Sequence, residues 1–350
     1  MNEKNLIPKL SVFALFLFLL SIWTYLVQHR KPTDLVLGQE FLPGLDVEKV
    51  SKIVIEGDSG KNKLVLTRQA NHFVLENFNE YLLDTEKIND FMYRVSSITV
   101  ATKAKSSKDY QDQVKVGEKK YENKLTFFDG KGDKLTEFYI GDSGKPKGQY
   151  LRMANKEDVY LSEDFLHFSS DKDQFINKEL IKVSDKNLSL VELKNPQEEI
   201  KIVRENESFK LVEPLQVATN ADENKIKSFI SHLNSISFDD FLPQTDDRLK
   251  DLDFNQIMRI VLQDDTSYLL KTAQKDSKYY ISLKMDLKDM PQEVEIDQND
   301  QPDQLKKVEQ IIKKSTTAKE FNQRHGSWVY TVSKYVFDNL FKNSKEFSKN

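Results

Sequence analysis

"HFVLENFNEYLLDTEKINDFMYRVSSI" occupies residues 72–98, and "SFKLVEPLQVATNADENKIKSFISHLNSI" occupies residues 208–236. Each stretch reads as a strand leading into a helix. In the first, "HFVLE" is the strand, Asp84 offers an N-cap, and Ile88, Phe91, Met92, Val95 and Ile98 recur at helical intervals. In the second, "SFKLVE" is the strand, and the helix is expected to open behind Asn220. Phe209 follows Phe73 by 136 residues, and Asn220 follows Asp84 by the same 136. One strand–helix pair recurring at one spacing predicts one fold unit present twice.

The elements on either side keep the same order. "VSKIVIEG" and "NKLVLTR" precede the first pair, as "LSLVELK" and "EIKIVRE" precede the second. After the first helix come "NKLTFFD", "KLTEFYIG", "QYLRMA" and "DVYLS", separated by the turn-rich "GKGD", "DSGKPKG" and "NKED". After the second come "QIMRIVLQDDTSYLLKTA", "KYYISLK" and "WVYTVSKYVFDNL". The last of these trails "DVYLSEDFLHF" by 170 residues, so the second copy holds about 34 extra residues between Lys284 and Trp328. The predicted fold is α+β: two tandem modules of β-β-β-α-β-β-β-β type, mostly antiparallel sheets each carrying one helix on a face. The modules are placed at 49–184 and 185–350, with a helical insertion at about 285–326 and a linker at 32–48.

In that insertion, Pro302 and Asp303 open a helix on which Leu305, Val308, Ile311 and Ile312 form one apolar stripe, with Lys306, Lys307, Lys313 and Lys314 outside it. Phe321 falls off the stripe, and Thr317 with Glu320 reads as a capping box, so a second short helix is expected there. The four apolar residues either pack on the second sheet or form a candidate docking surface for a partner or a second copy of the chain.

Residues 10–27, "LSVFALFLFLLSIWTYLV", carry no charge. As a helix they would be about 27 Å long, close to one hydrocarbon core. Trp23 and Tyr25 lie near one end, where amphipathic rings favour the interface. No A-x-A-like cleavage site follows, so residues 1–31 are expected to be a short cytoplasmic tail and an uncleaved transmembrane anchor. Lys4 and Lys9 precede the span and Arg30 and Lys31 follow it, a near tie in basic flanks. Large downstream domains cross largely regardless of charge, which places the body outside an inner membrane, on the periplasmic side.

A net charge of -4 over 350 residues argues against nucleic acid as the main partner. The absence of cysteine excludes disulfides, thiolate metal sites and thiol nucleophiles. Gly141-Asp142-Ser143-Gly144 is the tetrapeptide that surrounds the nucleophile of trypsin-like proteases. The same four residues recur at 57–60, between two other strands, and a motif found at two hairpins of one module reads as turn chemistry. A serine protease would also need an oriented base and an oxyanion hole. His29, His72, His167, His232 and His325 include no i, i+4 pair, and no phosphate loop occurs. "DQNDQPD" from Asp297 lacks the glycine and glutamate of a calcium loop. The acidic pairs Asp239-Asp240, Asp246-Asp247 and Asp264-Asp265 read as solvated turns. No catalytic, cofactor-binding or metal-binding residue is therefore assigned.

The N-terminal span, the series "VSKIVIEG", "FYIG", "QYLRM", "VYLSEDF" and "FINKELI", and the closing "KEFNQRHGSWVYTVSKYVFDNL" together resemble the DUF4340 family, over about residues 10–345. Phe73 and Phe175 stand where many members would have tryptophan. The resemblance implies a bacterial, membrane-anchored auxiliary protein working beside an ABC-type permease and its ATPase, including the gliding-motility type, without catalytic residues or cofactors. Homo-oligomerisation is compatible with it. The alternatives are an envelope hydrolase using acidic residues gathered between the modules, or a free-standing envelope binding module.

Overall fold

The computed structural model describes residues 37–145, 147–287 and 302–349. The apolar span at 10–27 and most of "DQNDQPD" lie outside the described residues. Among the described residues no helix is long and apolar enough to cross a membrane. Two compact units are present, one ending at Phe175 and the next beginning at Ile176.

The first unit contains β1 (Lys52–Gly57), β2 (Asn62–Gln69), β3 (His72–Leu75), β4 (Tyr81–Leu82), α1 (Thr85–Ser96), β5 (Val100–Lys103), α2 (Lys108–Gln113), β6 (Asn123–Phe128), β7 (Lys134–Ser143), β8 (Gln149–Met153) and β9 (Val159–Ser162). Its strands form one antiparallel sheet in the order β4-β3-β2-β1-β6-β7-β8-β9-β5. The alternation in β1 buries Ile53 and Ile55 on one face. Helix α1 lies against the sheet, burying Ile88, Phe91, Met92 and Val95. Phe91 is the anchor: its ring stacks on Phe127 of β6 and meets Phe168 and Phe175 edge-on at 5.2 and 5.1 Å. The Asp84 side chain caps α1 by accepting from the Lys87 amide at 3.1 Å.

The second unit contains β10 (Glu179–Lys182), β11 (Leu188–Lys194), β12 (Glu199–Glu205), β13 (Ser208–Glu213), α3 (Leu215–Ala218), α4 (Glu223–His232), β14 (Ser235–Ser237), β15 (Asp240–Pro243), β16 (Gln256–Leu262), β17 (Thr266–Lys275), β18 (Lys278–Leu287), α5 (Pro302–His325), β19 (Trp328–Val332) and α6 (Lys334–Leu340). Its main sheet runs β13-β12-β11-β16-β17-β18-β19-β15, which is the order of the first sheet without β4. The duplication extends to side chains. Arg68 covers the Phe73 ring at 4.8 Å and donates from Nε to the Val50 carbonyl. Arg204 covers Phe209 at 4.9 Å and donates from Nε to the Leu188 carbonyl.

Several expectations are corrected. A strand absent from the sequence-based series follows the helix in each unit: β5 pairs with β9, and β15 with β19, at the sheet edge. Both are four residues long, and Pro243 ends β15, where an edge tolerates a missing N–H. The second helix is capped by Asp222, not Asn220; its side chain accepts from the amides of Asn224 and Lys225. The units divide after Phe175 rather than after residue 184, because β10 pairs with β14 inside the second unit. The insertion helix is also continuous from Pro302 to His325, with no second start at Thr317. Thr317 instead donates its hydroxyl to the Lys313 carbonyl at 3.0 Å, one turn back along the same helix.

Candidate functional site

Helix α5 has two halves with different surroundings. Leu305 and Ile312 are 42% and 46% exposed, while Val308 and Ile311 are half-buried. The C-terminal half is the part that packs. Ala318 is buried, the Phe321 ring meets Tyr268 edge-on at 5.2 Å, and His325 lies against Phe321 at 4.6 Å. Asn322 fastens the helix to β18, donating from Nδ2 to the Met285 carbonyl and accepting from the Met285 amide, both at 2.8 Å. Phe321, which falls off the N-terminal stripe, is thus a packing residue of the C-terminal half.

This division predicts unequal responses to charge. Ile312→Lys is expected to change the unfolding free energy by no more than about 0.5 kcal/mol, as for an exposed position. Ala318→Glu is expected to cost about 3 kcal/mol, because a carboxylate would be forced out of water. Urea unfolding of the two variants measures the difference.

His325 is the most perturbed ionisable group of this region. It is 5% exposed, and its Nδ1 lies 2.7 Å from the Tyr330 hydroxyl on β19. Burial, aided by the charge of Arg324, holds its pKa down to about 3. The ring is therefore neutral at physiological pH.

Beneath the end of α5 a groove of about 330 Å³ is lined by Gln244, Leu269, Lys271, Ser282, Lys284 and Asn322, among others. The two units explain its origin. Leu151 faces Tyr160 across β8–β9, and Ile281 faces Tyr330 across β18–β19. One residue further along, Arg152 faces Tyr139, and Ser282 faces Lys271. Tyr139 and Arg152 are buried at 6% and 2% exposure, whereas Lys271 is exposed and Ser282 half-buried.

In the first unit that face is covered by the connector 104–122. Val114 and Val116 pack with Tyr139, and Gly141 brings its backbone so close that a Cβ there would lie 2.0 Å from the Val114 carbonyl oxygen. Arg152 donates from Nε to the Val116 carbonyl at 2.7 Å and from Nη1 to the Lys156 carbonyl at 3.0 Å, with its guanidinium over the Tyr139 ring. Lys115 ties the cover down through Asp142 at 2.9 Å and Glu122 at 3.0 Å, and these partners raise its pKa. The corresponding connector of the second unit, residues 244–255, is shorter. Its Leu249, Leu252 and Phe254 pack on Leu242, Tyr280 and Val329. The groove lines the neighbouring positions.

A family model described as "Domain of unknown function (DUF4340)" matches residues 74–256. That is more than half of the chain. The chain belongs to the DUF4340 family. The DUF4340 match begins in β3 of the first unit and ends at the first residue of β16 in the second. No curated protein and no solved structure matches.

The motifs singled out in this DUF4340 chain take structural places. Ser143 is exposed and ends β7, opposite Gln149. The repeat of its tetrapeptide forms a left-handed turn, with Asp58, Ser59 and Gly60 at φ of 45°, 58° and 89°. Ser143→Ala is expected to shift the unfolding free energy by no more than about 0.5 kcal/mol, measured by urea denaturation. Two of the acidic pairs serve local turns. Asp246 accepts from the Arg248 side chain and amide, which hold its pKa at about 2, and Asp264 accepts from the Thr266 amide and hydroxyl. Among the described residues no group of three or more His, Asp or Glu is arranged to hold a metal ion.

Arg152, Lys271, Ser282, Asn322 and His325 did not stand out in the sequence. The usable signal was the unequal length of the connectors 104–122 and 244–255 once the repeat is aligned. Burial of Arg152 and His325 has no counterpart in spacing.

Proposed function

We propose that this DUF4340 protein is a membrane-anchored, non-catalytic auxiliary subunit of an ABC-type transport system, held to the inner membrane by residues 10–27 with its two units on the periplasmic side. Support comes from the family membership, joined to the resemblance of the chain to transporter-associated members, and from the exposed apolar residues of α5. Leu305 and Ile312, 42% and 46% exposed, belong to an insertion that the first unit lacks. Together with Val308 and Ile311 they are the proposed contact for the permease. An apolar row on a surface helix marks an interaction face when it has no core to fill.

The test is purification of the full chain from bacterial membranes in a mild detergent, with partners identified by mass spectrometry. Wild type is expected to retain a permease and an ATPase subunit, and a Leu305→Glu/Ile312→Lys variant of equal stability is expected to lose them. Recovery of neither subunit with wild type would overturn the proposal.

A further inference from the structure

We propose that the groove on the second unit docks an extended acidic segment of a partner polypeptide, seated where residues 114–117 lie on the first unit. The inference rests on comparison of two copies of one fold and is independent of the transporter reading. In the first unit the face carrying Tyr139 and Arg152 is covered by main chain, whose Val116 carbonyl accepts from the Arg152 guanidinium. In the second unit the equivalent pair is Lys271 and Ser282, and among the described residues that place is an open groove. The same face thus carries main chain over Tyr139 and Arg152 in the first unit, while in the second the connector 244–255 packs on Leu242, Tyr280 and Val329 and, among the described residues, Lys271 and Ser282 line a groove.

The lining specifies the charge of the occupant. Lys271 places an exposed ammonium where the first unit has the buried Tyr139 ring, and Lys284 adds a second, held 3.1 Å from Asp286. Ser282 and Gln244 offer hydrogen-bonding groups, and Leu269 supplies a half-buried apolar surface. An extended chain with carboxylates on one side and aliphatic side chains on the other pairs with Lys271 and covers Leu269, with Lys284 already paired to Asp286. The rim is fixed in advance. Gln244 donates from Nε2 to the Gly326 carbonyl at 2.7 Å, and Asn322 is clasped to Met285, so little ordering is left for the moment of binding. Complementary charge at such a rim selects the partner more than it adds affinity.

The experiment uses the full chain in non-ionic detergent and two fluorescein-labelled octapeptides, one alternating valine with glutamate and one alternating valine with lysine. Fluorescence anisotropy is expected to show the glutamate peptide binding at least about tenfold more tightly, the effect of one well-placed charge contact. Lys271→Glu is expected to remove that preference, and Ser282→Trp, which fills the groove, to abolish binding. Lys313→Glu, a charge reversal on the exposed face of α5, is the control and should leave binding unchanged. Each variant's melting transition is recorded beside the titration. Equal binding of the two peptides by wild type would overturn the proposal, as would a Lys313→Glu loss equal to that of Lys271→Glu.

Discussion

Gly148→Ala is expected to destabilise the first unit by about 3 kcal/mol or more, read as a lowered urea midpoint with an unchanged denaturant slope. Two costs act together. Gly148 sits at φ 92°, in the left-handed region where a Cβ is penalised. An added Cβ would also lie 2.0 Å from the Ser162 carbonyl oxygen, a backbone atom that cannot swing aside. The clash falls at the β7–β8 turn, where the Gly144 amide donates to the Gly148 carbonyl at 2.9 Å and the Gln149 amide donates to the Ser162 hydroxyl at 2.8 Å. Relief of the contact therefore strains the pairing of β8 with β9. A midpoint equal to wild type would show that this turn is free to move.

Acid is expected to weaken the second unit through His325. Its folded pKa is about 3 against an ordinary 6.5, so above pH 6.5 the ring is neutral both folded and unfolded. As pH falls below 6.5 the unfolded chain takes up a proton that the folded ring refuses until about 3. Stability is present above the unfolded pKa and is lost as pH falls across that window, by roughly 1.4 kcal/mol per pH unit at most. His325→Gln is neutral at every pH and keeps a polar group for the Tyr330 hydroxyl. The variant is expected to lose the part of the acid slope that His325 contributes, while the carboxylates titrate as before. Urea unfolding of wild type and variant at pH 7, 6, 5 and 4 measures it. Parallel stability profiles would mean that the folded imidazole is open to protonation.

Much of the fold was legible because its signals are local. The alternation "KIVIEG", the helical spacing of Ile88, Phe91, Met92 and Val95, and the recurrence of Phe73 as Phe209 each depend on a few adjacent residues. Short edge strands were not legible. β5 and β15 become strands only because β9 and β19 offer them a partner, and their four residues carry too little pattern to compete with a loop. The break expected at Thr317 failed for a related reason. A capping box and a mid-helix Thr–Glu pair look alike, and the packing of Ala318, Phe321 and His325 carries the helix through.

The order of elements, their antiparallel character and the doubling of the unit were determined by the sequence itself, since periodicity and turn chemistry act over a few residues. Which face is covered and which is open was decided only in three dimensions. Arg152 and Ser282 occupy equivalent strand positions, yet one is sealed under a connector and the other lines a groove. Burial depends on residues far away in the chain, here 104–122 in one unit and 244–255 in the other. No reading along a single strand reveals what will lie on top of it.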